Sequence, residues 1–213
     1  MASNERVAVV TGSATGVGAA TARQLAGRGW RVVLNYTRSE AEARETERAC
    51  REAGAEVVVV QGDVAVDADC RRLAQAALDA WGRIDALVNN AGVTKFANHF
   101  DLESLQAEDF QRVYAVNVVG AYQMVRACAP AMKKQGRGAV VNVSSIAGVT
   151  GLGSSIAYCA SKAALNNMTL TLARTLGPEI RVNAVCPGLI EGRWLRNGLG
   201  EKGYDALRER YKE

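Results

Sequence analysis

Histidine is nearly absent: His99 is the only one in 213 residues, and proline, phenylalanine and tryptophan occur three times each. The five cysteines (Cys50, Cys70, Cys128, Cys159 and Cys186) are odd in number and none forms a close pair. That excludes a zinc or disulfide framework and predicts reduced thiols in a cytoplasmic protein that binds no metal. No apolar run reaches membrane-spanning length, and the opening Met1-Ala-Ser-Asn-Glu-Arg6 has no apolar signal core. A soluble, intracellular chain without membrane contact is therefore expected. Runs of one charge are missing as well: Lys and Arg are scattered among Asp and Glu, and the net charge is only +4. Nucleic-acid binders gather their cations into a patch or stripe, so no nucleic-acid partner is expected, and an anionic cofactor accounts for the excess. There is no internal linker, repeat or low-complexity segment. The length predicts one domain over residues 1–213, large enough to bury a substantial core.

What the chain does carry is concentrated between Ser145 and Lys162, in Ser-Ile-Ala-Gly-Val-Thr-Gly-Leu-Gly-Ser-Ser-Ile-Ala-Tyr-Cys-Ala-Ser-Lys. Tyr158 and Lys162 are spaced to share one face of a helix, a turn apart. Ser145 lies 13 residues before Tyr158, where the apolar run Ala139-Val-Val-Asn-Val143 ends. A strand end, a Gly-rich loop and a helix start bring that hydroxyl back over the phenol. A free tyrosine titrates near ~10, and a close cation stabilises the phenolate and lowers that value. Together the groups form machinery for moving a proton on or off an alcohol or carbonyl oxygen. Taken alone, Tyr158 and Lys162 also fit an ordinary half-buried helix residue and its solvated neighbour.

Along the chain, β-branched runs alternate with amphipathic, Ala-rich stretches. Strands are expected at 7–10, 31–36, 56–61, 86–90, 139–144 and 180–186. Helices are expected from the first glycine cluster through Leu25, from a cap at Ser39 to about Ala53, and from Asp67 to Trp81. The pattern predicts an α/β fold, a three-layer, doubly wound, Rossmann-like parallel sheet of about six strands.

Ligand-binding features fall at the carboxyl ends of the expected strands, where open α/β sheets bind. Gly12, Gly16 and Gly18 follow the first strand, where glycines let backbone N–H groups approach a pyrophosphate at a helix start. Their spacing, Gly-x-x-x-Gly-x-Gly, differs from the common dinucleotide fingerprint. Asn89-Asn90-Ala91-Gly92 closes the fourth strand, and its amides are suited to tying adjacent strand ends together. Asp63-Val64 closes the third, where a carboxylate suits an adenine amino group.

These residues, with Asn117, Ser145, Tyr158-x-x-x-Lys162 and Pro187-Gly188, occur in an order and spacing that resemble the short-chain dehydrogenases/reductases. The likeness is greatest to the β-ketoacyl-acyl-carrier-protein reductases and covers residues from about 5 to 195. The resemblance implies that Gly12, Gly16 and Gly18, with Thr15 and Val17 between them, hold the pyrophosphate. Asp63 and Val64 would frame the adenine. Asn90 would meet the adenosine ribose, with Ala91 and Gly92 beside it, and Pro187, Gly188 and Ile190 would lie along the nicotinamide. Tyr158 would be the general acid/base, with Lys162 binding the nicotinamide ribose and lowering the tyrosine pKa. Ser145 would orient the substrate oxygen, Ser144 being the neighbouring alternative, and Asn117 would hold a water that links Lys162 to solvent. The expected reaction is hydride exchange with a small carbonyl or alcohol, as in a 3-oxoacyl-reductase-like ketoreductase. A non-catalytic dinucleotide-binding sensor or scaffold, and a lyase or epimerase that uses the cofactor transiently, are the alternatives.

At the end of the second strand, Leu34-Asn-Tyr-Thr-Arg-Ser39 has no carboxylate before Glu40. Thr37, Arg38 and Ser39 suit a 2′-phosphate, so NADP(H) is favoured over NAD(H), although the basic residue frequent within the family's glycine loop is replaced by Thr15. Gly192 stands where the family often has a carboxamide-binding threonine. The segment 94–102 is longer than expected and is read as bordering the substrate entrance, with His99 on a surface loop. The tail from Tyr204 to Glu213 reads as a charged helix. No seventh strand follows the sixth, so a truncated chain with an open sheet edge is expected. It would be less stable or more associating, and less active, than an extended homodimer or homotetramer.

Overall fold

Six short apolar runs become six parallel strands in the computed structural model, which describes residues 6–210. They are β1 (Val7–Val10), β2 (Arg31–Tyr36), β3 (Val57–Gln61), β4 (Ala86–Asn89), β5 (Gly138–Val143) and β6 (Ile180–Val185). Their order across the sheet is β3-β2-β1-β4-β5-β6. Alternation of side chains sorts each strand between two cores. Val7, Val9, Val33 and Leu87 face one layer, with Leu73, Met124 and Leu172. Val10, Val32, Leu34 and Val88 face the other, with Ala22, Ala26 and Cys50. Every residue of β1 is buried on both faces, and each such Val or Leu contributes roughly 1.5–3 kcal/mol.

The helices are α1 (Gly16–Ala26), α2 (Glu40–Glu52), α3 (Asp67–Trp81), α4 (Ala107–Tyr114), α5 (Ala121–Lys134), α6 (Ala147–Thr150), α7 (Ile156–Leu176) and α8 (Arg193–Arg210). The strand bounds differ from the sequence reading by one residue at some ends. Glu56, for example, is left outside β3, where its exposed carboxylate binds Arg31 and the Trp81 indole. Ser39 occupies the N-cap position of α2 but makes no capping hydrogen bond. For 107–134 the sequence reading gives no element. The structure runs α4 through a π-helical turn, Ala115–Gly120, into α5 with Pro130 inside it. The wider π turn breaks the 3.6-residue period by which a helix is read.

The tail folds as two helical stretches meeting at Gly200 (φ 68°), and the first begins at Arg193, ahead of the expected helix. The last three residues of that expectation, and the leader reading on residues 1–5, lie outside the described residues. β6 pairs with β5 alone, and Arg181, Asn183 and Val185 are exposed along it. Among the described residues its outer edge carries no strand.

Candidate active site

The glycine loop is held from three sides. Thr11 Oγ1 accepts from the backbone N–H groups of Asn90 and Ala91, both at 3.0 Å. The Asn90 side-chain amide donates to Thr11 O at 3.0 Å and Gly12 O at 2.9 Å. Asn35 Oδ1 accepts from Gly12 N at 3.0 Å while its Nδ2 donates to Gly62 O at 2.9 Å. Gly12 and Gly16 both have positive φ, 60° and 58°, which glycine adopts without a steric penalty. A side chain on Gly18 would lie 2.4 Å from Asn90 Nδ2 and 2.5 Å from Gly12 O. The backbone of α1 thus comes as close to the strand ends as a chain can.

This cradle fits a pyrophosphate. The first N–H groups of a helix have no partner within it. Thr15 at the cap is exposed and makes no side-chain bond to them, and the first turn of α1 holds no acid. Nothing lies within 4 Å of where a Cβ on Gly16 would stand, and Val17 is half-buried behind it.

At the β3 end, Asp63 Oδ1 accepts from Ala65 N at 2.9 Å and Oδ2 from Arg112 at 3.2 Å. Val64 is buried against Gly120 of the π turn. At the β2 end, the Thr37 hydroxyl donates to Gly62 O at 3.2 Å. Arg38 is exposed beside half-buried Ser39 and engages no partner among the described residues.

The proton-handling residues come from β5, α7 and the π turn. Ser155 at the cap of α7 accepts from Tyr158 N at 3.2 Å, fixing the helix start. That places Tyr158 and Lys162 on its buried face, 8% and 4% exposed. Lys162 Nζ donates to Val143 O at 2.8 Å and lies 5.6 Å from the Tyr158 ring centroid. Ser144 Oγ donates to Lys162 O at 3.2 Å, whereas Ser145, whose Oγ accepts from Ala147 N at 3.1 Å, is the serine that acts on the Tyr158 phenol. Asn117, on the π turn, exchanges bonds with the Val93 backbone at 2.8 and 3.0 Å and donates to Ser161 Oγ at 3.0 Å. Gly92 is the floor: a Cβ there would lie 3.5 Å from Asn117 Oδ1 and 3.7 Å from Lys162 Nζ. Pro187 and Gly188 follow β6, and Ile190 is 44% exposed beyond them.

Burial pushes the Tyr158 phenol above its ordinary value, and the Ser145 hydrogen bond pulls part of the way back. The net direction is therefore upward, against the lowering expected from sequence, although the Lys162 ammonium stands close by. Burial instead pushes Lys162 itself down, to about 8 from an ordinary 10.5. Below about 8 the ammonium is protonated in both folded and unfolded chains, and its burial destabilises the fold in full. Between 8 and 10.5 the unfolded chain holds the proton that the folded chain has released, so stability rises with pH. Urea unfolding should show wild type gaining about 2 kcal/mol on Lys162→Met between about pH 7 and pH 9.5.

Asn35, and the aromatic contact by which Trp194 and Phe96 meet the site, escaped the sequence reading, although the segment 94–102 is expected to border the entrance. Asn35 organises the loop, and an asparagine inside a buried strand (Leu34-Asn-Tyr36) is a signal that it has a polar task. Trp194 reaches Tyr158, with ring centroids 5.7 Å apart, and Phe96 from a distant segment meets Trp194 at 6.0 Å. No local pattern marks such a meeting. His99 lies on the loop near the site, with Nε2 3.0 Å from Gly153 O. Among the described residues no cluster of metal-ligating side chains occurs, and no helix is long and apolar enough to cross a membrane.

The family model for short chain dehydrogenase matches residues 6–199. A Streptomyces violaceoruber protein assigned as ketoacyl reductase 2 of the granaticin polyketide synthase is 44% identical over 191 residues, 90% of this chain and 75% of that protein. The 3-oxoacyl-[acyl-carrier-protein] reductase of Synechocystis is 38% identical over 186 residues, covering 87% of this chain and 74% of its own. Among solved structures, an NAD+-bound xylitol dehydrogenase superimposes with a TM-score of 0.85 at 34% identity, over 92% of this chain and 76% of that one.

Proposed function

The chain belongs to the short-chain dehydrogenases/reductases, NAD(P)-dependent oxidoreductases with ketoacyl reductases among its relatives, and from that premise we propose that it is an NADP(H)-dependent ketoreductase with Tyr158 as general acid. The observation that carries this reading is the convergence of Ser145, Tyr158 and Lys162 at the sheet end that also carries the glycine cradle. The bound nicotinamide would supply or accept the hydride.

The residues divide the remaining work. The α1 N-terminus and Gly12 hold the pyrophosphate, and Lys162 binds the nicotinamide ribose. Ser145 donates to the substrate oxygen and keeps it beside the phenol, and Tyr158 Oη gives that oxygen its proton. A phenol kept high by burial is protonated at neutral pH, as an acid must be. Bringing a tyrosine from ~10 to ~7 for the reverse reaction takes about 4 kcal/mol. Burial adds to that figure, so the Ser145 hydroxyl and the ammonium must stabilise the phenolate together. Asn117 braces the α7 turn that carries Lys162, through Ser161 and the Val93 backbone, and would hold a relay water there. Association as a homodimer or homotetramer in the cytoplasm is part of the same proposal.

The test is a panel of ketones and alcohols with NADPH/NADP and NADH/NAD, followed by nicotinamide absorbance. Ketone-dependent NADPH oxidation supports the reading, and its absence across the panel points to a binding protein. For the cofactor, Arg38 is the free cation at the β2 end. Arg38→Ala should weaken NADPH binding by about 1.5–3 kcal/mol, the range for a charged hydrogen bond, and leave NADH nearly untouched. Equal losses for both cofactors, measured by calorimetry, would remove the 2′-phosphate role.

A further inference from the structure

Trp194 stands over the proton donor. Its ring is 5.7 Å from that of Tyr158 with the planes 57° apart, and Phe96 meets it edge-on at 6.0 Å. The arrangement depends on Gly198, because a Cβ there would fall 1.9 Å from the Phe96 ring. Only a glycine lets this part of α8 settle on Phe96 and hold the indole in place. Nearly half of Trp194 (49%) stays exposed, so the indole offers surface to something besides Tyr158 and Phe96.

The surroundings agree in chemistry. A Cβ on Gly153 would lie 3.3 Å from the Tyr158 ring, and in the same stretch of chain Val149 and Leu152 are 74% and 71% exposed. The cations nearby already have carboxylates: Lys95 pairs with Asp109, Arg193 with Glu42 and Arg196 with Glu201. The mouth therefore offers apolar and aromatic surface, with these charges internally matched. A flat ring with its own quadrupole gains from an indole face what a saturated chain of equal area does not.

We propose that Trp194 determines specificity by stacking a planar conjugated ring adjacent to the reacting carbonyl, so that the substrate is an aryl ketone or the matching benzylic alcohol. The inference rests on the ketoreductase reading above and names the class of substrate for the same site. Phe96 and Gly198 act through Trp194 as positioning residues.

The experiment compares wild type, Trp194→Leu and Trp194→Phe on α-tetralone, its saturated counterpart α-decalone and an acetoacetyl thioester, with NADPH. Calorimetric binding of α-tetralone to each NADP-bound protein runs alongside. Wild type should prefer α-tetralone by about tenfold in kcat/KM. Trp194→Leu should lose about tenfold on it, mainly in KM, and at most about threefold on α-decalone. Trp194→Phe should recover most of the loss. Equal losses on both ketones would make Trp194 a support for α8 only and overturn the proposal, as would a wild-type preference for α-decalone or the thioester. If no ketone turns over, binding decides. α-Tetralone binding that weakens about tenfold in Trp194→Leu upholds the stacking and overturns the ketoreductase reading, whereas no α-tetralone binding overturns the stacking itself.

Discussion

Tyr158→Phe is expected to lower kcat by about a thousandfold, within the 10²–10⁴ range for a general acid, while NADPH affinity stays within about twofold. The phenyl ring keeps the contact with Trp194 and the packing against Ala147 and Cys159. What is lost is the transferable proton and one hydrogen bond with Ser145, worth about 1 kcal/mol of stability. Single-turnover rates with saturating NADPH, beside the binding constant, separate the two effects. A variant that kept a tenth of wild-type turnover would show that water or another hydroxyl protonates the substrate.

Gly18→Ala is expected to weaken dinucleotide binding by a hundredfold or more, with a fold destabilised by about 1–3 kcal/mol. The new methyl would stand 2.4 Å from Asn90 Nδ2 and 2.5 Å from Gly12 O. The first of those groups holds the loop and the second is the loop's own backbone, so neither can move without opening the cradle. Gly136→Ala is the control. Its φ is positive, 68°, which that of Gly18 is not, but nothing lies within 4 Å of its Cβ position. It should cost about 1 kcal/mol of stability and leave NADPH binding alone. Melting temperature and NADPH affinity of the pair give the comparison. Equal binding in Gly18→Ala and wild type would mean that the loop tolerates the methyl and that the close approach is not needed.

Elements whose cause is local could be read from the sequence. The strands from Val7, Arg31 and Ala86 are short apolar runs bounded by turn residues, and all are found within a residue of where the pattern puts them. Tyr158 and Lys162 share a helix face because a spacing of four dictates it. The preference for Ser145 over Ser144 rests on a spacing of thirteen residues, and in the structure Ser144 is tied to the Lys162 carbonyl. Elements whose cause is tertiary could not be read. The π turn that presents Asn117 leaves the helical period, and Trp194 meets Tyr158 only because Gly198 admits Phe96. The phenol and the ammonium were expected to couple directly. Burial acts on each more strongly than they act on one another, and burial is a property of the folded whole.

The most direct test of hydride transfer is the fate of deuterium carried at C4 of the reduced nicotinamide, with both stereoisomers of the labelled NADPH tried on a ketone that the protein converts. One isomer should deliver one deuterium to the carbinol carbon for each NADPH consumed, and the Tyr158→Phe variant should deliver almost none in the same time. Conversion of the substrate with the label retained on the cofactor, or with the carbinol hydrogen drawn from water, would contradict the account.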